Sequence, residues 1–256
     1  MTDTKEKLAI AEDPHQLAIF GADLFKKNAL DAVRHCGKFS VAISGGSSPR
    51  PMNRLFAKKP YRHTIPWKAM HLFWVDERLV PLTHPHSNYG NAKTDFLDQL
   101  DIPQENIHPM GLEKEPTAAA KNYQQELMNF FNPSIGQFPI FDLIILGIGS
   151  DGHTASIFPN DKTAVDTKKR VCAVKGGNPN VDRLTLTLPL INQAKCVAVL
   201  ACGQKKSKII EIIFTDMGTD LPIQKIMPTH GHLVWLLDQD AAARLPENIK
   251  TAAKRV

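Results

Sequence analysis

Phe141-Asp-Leu-Ile-Ile-Leu-Gly-Ile-Gly-Ser-Asp-Gly-His-Thr-Ala-Ser156 is the stretch on which the reading of the chain turns. Residues 143–146 form an unbroken apolar run, the pattern of a strand buried on both faces. The run feeds directly into a turn carrying Gly147, Gly149 and Gly152, where the missing Cβ permits a sharp reversal and close approach to a ligand. That turn delivers a carboxylate, Asp151, and an imidazole, His153, two residues apart. Histidine is the side chain that titrates nearest neutral pH, so His153 is the natural general base. Open α/β sheets place their chemistry at the carboxyl ends of strands, which is where this turn falls. Taken alone, the stretch also fits a tight surface loop with a solvated histidine.

The flanking sequence continues the pattern. Residues 8–11 read as a short strand, and Asp13 as a helix N-cap with Pro14 at the first helical position. Leu17, Phe20 and Leu24 follow at helical spacing, and Gly37 supplies a stop. Residues 39–43, 70–75, 184–188, 197–201 and 233–237 read as further strands. Helices are expected from Pro49 through Met52 and Leu55, over 88–100, over 117–131, and after Gly203 through Ile209, Ile210 and Ile213. Continuous apolar strands alternating with helices predict an α/β fold, an open, mostly parallel sheet with helices on both faces. With no internal repeat and no Gly/Ser linker, residues 1–256 read as a single domain.

Composition narrows the classes. The chain has 256 residues, 43% of them hydrophobic, which suits an ordinary globular core. No apolar run approaches the roughly 20 residues of a membrane helix. The opening Met1-Thr-Asp-Thr-Lys-Glu6 lacks the apolar core of a secretory signal, so a cytoplasmic location without membrane attachment is expected. Cys36, Cys172, Cys196 and Cys202 form no CxxC pair, and read as reduced thiols. The net charge of +5 is dispersed: Lys168-Lys169-Arg170 and Lys205-Lys206 are short and not interleaved with aromatic residues. That argues against nucleic acid and is met equally by a small anionic substrate.

Three further segments carry chemistry. Ser44-Gly-Gly-Ser-Ser-Pro49 lies between a strand and a helix, so Gly45, Gly46 and Ser47 can offer amides and hydroxyls to an anion. It is neither a Walker A loop nor a GxGxxG fingerprint, which points to phosphate on a small metabolite. Val75-Asp-Glu-Arg78 ends a strand with two acids and a base, followed by Ser87-Asn-Tyr-Gly90. Arg78 can hold phosphate bidentately, while Asp76 or Glu77 orients Arg78, His153 or a sugar hydroxyl. In the C-terminal half, Arg183 opens a strand and Lys206 stands at a helix start, each a further cation for the same anion if the strands are neighbours.

Together these segments resemble the 6-phosphogluconolactonase family. The matching motifs are SGGSSP at 44–49, VDER followed by P and SNYG over 75–90, GxGxDGHTASxFP at 147–159, RxTLTxPxIN at 183–192 and GxxK at 203–206. They occur in order and span most of the chain. The resemblance implies a three-layer, Rossmann-like α/β fold and hydrolysis of 6-phospho-D-glucono-1,5-lactone to 6-phosphogluconate in the oxidative pentose phosphate pathway. It implies no metal or organic cofactor. On this reading His153 and Asp151 are catalytic, and Ser44, Gly45, Gly46, Ser47, Asp76, Arg78, Arg183 and Lys206 bind substrate; the backbone amides of the glycine turns are candidates for the oxyanion donors. The partner expected is this small molecule alone, bound by a monomer or weak homodimer. Glucosamine-6-phosphate deaminases share the fold and a DGH turn, but resemble DGHIAFNEP, with a carboxylate five residues after the histidine. Phe158 occupies that place here, and Arg78 stands where the deaminases carry an aromatic residue. A non-catalytic sugar-phosphate sensor is the remaining alternative.

Overall fold

A computed structural model of the chain describes residues 6–111, 115–165, 168–216 and 218–255. The strands in chain order are β1 (Glu6–Ala11), β2 (Phe39–Ile43), β3 (Met70–Trp74), β4 (Asp76–Arg78), β5 (Ile107–His108), β6 (Leu143–Gly147), β7 (Val171–Gly176), β8 (Val181–Leu186), β9 (Cys196–Ala201), β10 (His232–Asp238) and β11 (Lys254–Arg255). The helices are α1 (Pro14–Cys36), α2 (Arg50–Phe56), α3 (Tyr61–Thr64), α4 (Asn88–Asp95), α5 (Pro116–Phe131), α6 (Leu188–Ile191), α7 (Ser207–Thr215) and α8 (Glu247–Ala252).

Eight strands form the main sheet in the order β11-β1-β10-β9-β6-β2-β3-β5, every neighbouring pair parallel. All residues of β2 and β9 are buried, as a strand covered by helices on both sides requires. Helix α1 begins as its sequence predicts: the Asp13 carboxylate accepts the His15 and Gln16 amides at 2.8 Å, and Gly37 closes the helix at φ 75°. Its inner stripe, including Leu17, Ala22, Phe25 and Ala29, is buried. The Phe25 ring lies 5.3 Å from Phe39 of β2 and 4.5 Å from Phe56 of α2, contacts worth about 0.5–1.5 kcal/mol each beyond the area they bury.

Two expectations change. The helix expected over 88–100 stops at Asp95, leaving only a single tight turn at Leu97–Gln99. Its last carboxylate is drawn to α2 by Arg50, at 2.7 and 2.9 Å, and by Arg54 at 3.0 Å, while Phe96 turns inward to within 5.4 Å of Phe56. Tertiary contacts there outweigh the local helical pattern. The strand expected over 184–188 is β8, which ends at Leu186 because Thr187 stands at the N-cap of α6, with Pro189 in its first turn. It does not extend the parallel sheet but sits between β4 and β7 in a separate antiparallel one.

Topology places the site. From β2 the chain moves outward to β3 on one side, whereas β6, on the other side of β2, leads outward to β9 and β10. The strand order reverses between β2 and β6, and a crevice opens outside the carboxyl ends at such a point. The adjacent strands β9, β6, β2 and β3 end in the 203–206 turn, the 147–156 turn, the 44–49 loop and the 75–78 segment, while Arg183 stands on β8 of the smaller sheet.

Candidate active site

The loop after β2 carries Ser44 to Pro49 into α2. Gly45 is required by space: a Cβ there would stand 1.9 Å from Asn88 Oδ1. Among the described residues no protein acceptor takes the amide hydrogens of Gly45, Gly46 or Ser47. Ser44 Oγ is buried without a hydrogen-bond partner. An anion would find unspent donors here.

The loop after β3 separates the two acids. Glu77 is buried and serves the backbone, its carboxylate accepting the amides of Arg78 (2.7 Å), Asn88 (2.8 Å) and Tyr89 (2.8 Å) and the Ser87 hydroxyl (3.1 Å). Burial outweighs these donors and pushes its carboxyl up to about 7. Asp76 instead lines the cavity, with Oδ2 accepting from Ser156 Oγ at 2.7 Å. Of the two acids, Asp76 is the one that can meet a ligand.

Arg78 and Arg183 stand directly opposite each other in the β4–β8 ladder. Like charges in that position destabilise a sheet unless an anion or carbonyl dipoles offset them. Arg183 is 3% exposed and donates to the carbonyls of Gly176 (2.8 Å) and Pro179 (3.0 Å). Burial, then Arg78, hold its guanidinium below the usual arginine range. Arg78 donates to His86 O (2.9 Å) and Asn88 Oδ1 (2.8 Å), and its Nε is buried without a partner. Lys206 lies in the short turn before α7, its ammonium 2.6 Å from Ile148 O. Burial lowers its pKa below the ordinary lysine value. The buried Asp238 carboxylate anchors that turn by accepting Gly203 N at 3.0 and 2.9 Å.

The turn after β6 holds the imidazole. Asp151 Oδ1 lies 2.6 Å from His153 Nδ1 and also accepts the His153 amide at 3.2 Å. Burial works to raise the Asp151 carboxyl, but the charge and hydrogen bonds of His153 win and hold it below the usual aspartate value. Gly149 admits this pairing, since a Cβ there would stand 2.1 Å from His153 Nδ1. Gly149 N donates to His153 O (2.8 Å) and Gly152 N to Gly149 O (3.1 Å). Those two amides are committed within the turn, which removes them from the candidate oxyanion donors.

A cavity of about 240 Å³ brings together Ser44, Gly45, Gly46, Ser47, Asp76, Arg78, His153, Arg183 and Lys206. Asp151 touches this space only through His153. With Nδ1 engaged, Nε2 is the imidazole nitrogen left for a water or substrate. Asn88, Gly177 and Asn178 also line the cavity, and none was singled out as a site residue from the sequence. Asn88 was within reach, since it sits in the SNYG motif. The Gly176-Gly-Asn-Pro179 run was legible as a turn, but nothing in it says that its carbonyls clasp Arg183. Three cations, unspent amides and a carboxylate-paired imidazole can bind an anionic group and move a proton beside it. Among the described residues no group of three or more His, Cys, Asp or Glu side chains is arranged to hold a metal ion.

Comparison with known proteins gives the same grouping. The sequence model of glucosamine-6-phosphate isomerases/6-phosphogluconolactonase matches residues 12–235. The chain is 39% identical to a 6-phosphogluconolactonase of Nostoc sp. over 246 residues, covering 94% of this chain and 99% of that one. It is 43% identical to a 6-phosphogluconolactonase of Synechocystis sp. over 224 residues, covering 84% and 88%. The solved structure of the 6-phosphogluconolactonase from Trypanosoma cruzi superimposes with a TM-score of 0.83 at 27% identity, covering 94% of this chain and 97% of that one.

Proposed function

The chain belongs to the glucosamine-6-phosphate isomerase/6-phosphogluconolactonase family, and from that premise we infer that it hydrolyses 6-phospho-D-glucono-1,5-lactone to 6-phosphogluconate. This is the lactone-opening step of the oxidative pentose phosphate pathway. The observation that carries the reaction chemistry is the 2.6 Å contact between Asp151 and His153 Nδ1 at the wall of a cavity lined by three cations.

The chemistry follows from that pairing. Charged Asp151 accepts the Nδ1 hydrogen, which leaves Nε2 bare and aimed to take a proton from water. The water oxygen bonds to the C1 carbonyl as Nε2 removes its proton. The tetrahedral intermediate then collapses, the bond from C1 to the ring oxygen breaks, and the imidazolium returns its proton to that oxygen. Water is consumed and an acid and a hydroxyl form. A positioned base of this kind supplies typically 10²- to 10⁴-fold. The phosphate sits on the Gly45, Gly46 and Ser47 amides with Arg78, Arg183 and Lys206 around it, and binding there fixes the carbonyl against the water. Asp76, buried beside Ser156, takes a sugar hydroxyl.

The same reading expects a single small-molecule partner, no nucleic acid, and a monomer or weak homodimer. Among the described residues no helix is long and apolar enough to cross a membrane. Four free cysteines suit the reducing cytoplasm. A second reading, glucosamine-6-phosphate deamination, is disfavoured because Phe158, not a carboxylate, packs beside His153 at a ring distance of 5.2 Å. The test is hydrolysis of freshly generated 6-phosphogluconolactone, with the spontaneous rate subtracted, in parallel with ammonia release from glucosamine 6-phosphate. Lactone turnover without ammonia is expected. Ammonia release would transfer the site to the deaminases, and silence in both assays would leave a sensor.

A further inference from the structure

Phe158 belongs to none of the groups that touch the cavity, yet it contacts two that do. Its ring centroid lies 5.2 Å from that of His153, at 52° between planes. The Arg183 guanidinium carbon lies 5.7 Å from the same centroid, and among the described residues no carboxylate stands within hydrogen-bond reach of that guanidinium. The 176–177 turn, whose Gly176 carbonyl accepts from Arg183, lies next to the ring and leaves no room there for a side chain: a Cβ on Gly176 or Gly177 would come within 3.0 or 3.1 Å of it. Phe158 lines instead a separate open groove behind the cavity, together with Asp151, Asp161 and Lys175. The ring is therefore a partition, with the Asp151 side of the catalytic turn behind it and the substrate side in front.

We propose that Phe158 is a positioning residue for lactone hydrolysis, holding the His153 imidazole and the Arg183 guanidinium in their working places from behind the cavity. The proposal rests on the reading of the reaction given above. Two physical effects combine in one side chain. As an apolar wedge, the ring blocks rotation of the imidazole away from Asp151. As an aromatic quadrupole, it offers negative charge density to a guanidinium that already faces Arg78 across the ladder, and to the imidazolium that forms when His153 takes a proton. An aliphatic side chain of similar size supplies only the first effect. Aromaticity, rather than bulk, is thus the property the site requires at this position.

The distinction sets the experiment. Steady-state kinetics of Phe158→Leu and Phe158→Tyr are measured on 6-phosphogluconolactone and on D-glucono-1,5-lactone, which lacks the phosphate. Phe158→Leu should lower kcat on both lactones by about tenfold through the imidazole, and lower kcat/KM on the phosphorylated one by about a further threefold to tenfold through Arg183. Phe158→Tyr, which keeps the ring, should stay within about threefold of wild type on both. The His153 imidazole proton resonances should move in the leucine variant as the ring current is lost. Leucine kinetics equal to wild type, an equal loss on both lactones, a tyrosine variant as impaired as the leucine one, or unmoved His153 resonances would each overturn the proposal. If the leucine variant does not fold, Phe158→Met provides the same aliphatic comparison. Failure of the wild-type chain to turn over either lactone is a different result, and overturns the reaction itself.

Discussion

The imidazole of His153 is one of several side chains in this site whose role depends on one neighbour. Asp151 fixes which nitrogen faces the cavity, and Gly149 is what makes room for the pair. Arg78 depends on Asn88, which also fills the space over Gly45 and whose own backbone amide donates to the Glu77 carboxylate. A charge-assisted contact of the kind Arg78 offers to phosphate is worth roughly 1.5–3 kcal/mol, so Arg78→Ala should raise KM for the phosphorylated lactone by about ten- to a hundredfold. A contact made equally in ground and transition states leaves kcat little changed, and initial-rate measurements across substrate concentration separate the two. At this scale the sequence is a partial guide. That His153, Asp151, Arg78, Arg183 and Lys206 are candidates was legible because ordered motifs carry them, and the structure gathers them at one cavity. The opposition of Arg78 and Arg183 was not, because it exists only once β4 and β8 pair antiparallel in one register. Nor could the string Asp76-Glu77 say which acid meets a ligand, since that follows from the direction each side chain takes as β3 turns into β4.

Among the elements, the start of α4 is held by one buried acid. Glu77 collects the amides of Asn88 and Tyr89 and the hydroxyl of the N-cap Ser87, tying the helix to the strand that bears Arg78. Its carboxyl is raised by burial from 4.5 to about 7. A folded-state value above the unfolded one means that its contribution to stability is complete below pH 4.5 and is lost as pH rises through 7. In Glu77→Gln an amide nitrogen must face donors, so the variant should be less stable. Its deficit relative to wild type should narrow between pH 4.5 and pH 7 and be flat on either side. Urea unfolding of both chains across that range checks the sign, and a deficit that widens with pH would contradict it. Element boundaries were legible where local chemistry decides them, as with Asp13 and Gly37 on α1. They were not where tertiary contact decides, as with Asp95 and Phe96, or with β7, whose short apolar run at 171–174 does not say that it pairs antiparallel with β8.

For the molecule as a whole, the alternation of buried strands with helices was enough to predict the parallel sheet, and with it a crevice at the carboxyl ends of its strands. What the alternation could not give was strand order, and it is the reversal between β2 and β6 that brings the 44–49 loop beside the 147–156 turn. A ligand that binds this cavity only in the folded chain stabilises the fold by mass action. The product, 6-phosphogluconate, at a hundredfold excess over its Kd should add about 2.7 kcal/mol to the folded state. That amounts to a rise in Tm of roughly 5–10 °C for a chain of this size, and Arg78→Ala should shrink the rise at the same product concentration. Differential scanning fluorimetry reads both. The central claim is narrower, that a carboxylate-paired imidazole at this crevice draws the proton from the attacking water. Its most direct test is the steady-state hydrolysis of fresh 6-phosphogluconolactone by His153→Ala beside the wild type. The account predicts a kcat lower by about 10²- to 10⁴-fold with KM nearly unchanged. A His153→Ala enzyme that keeps a near-normal kcat would contradict it.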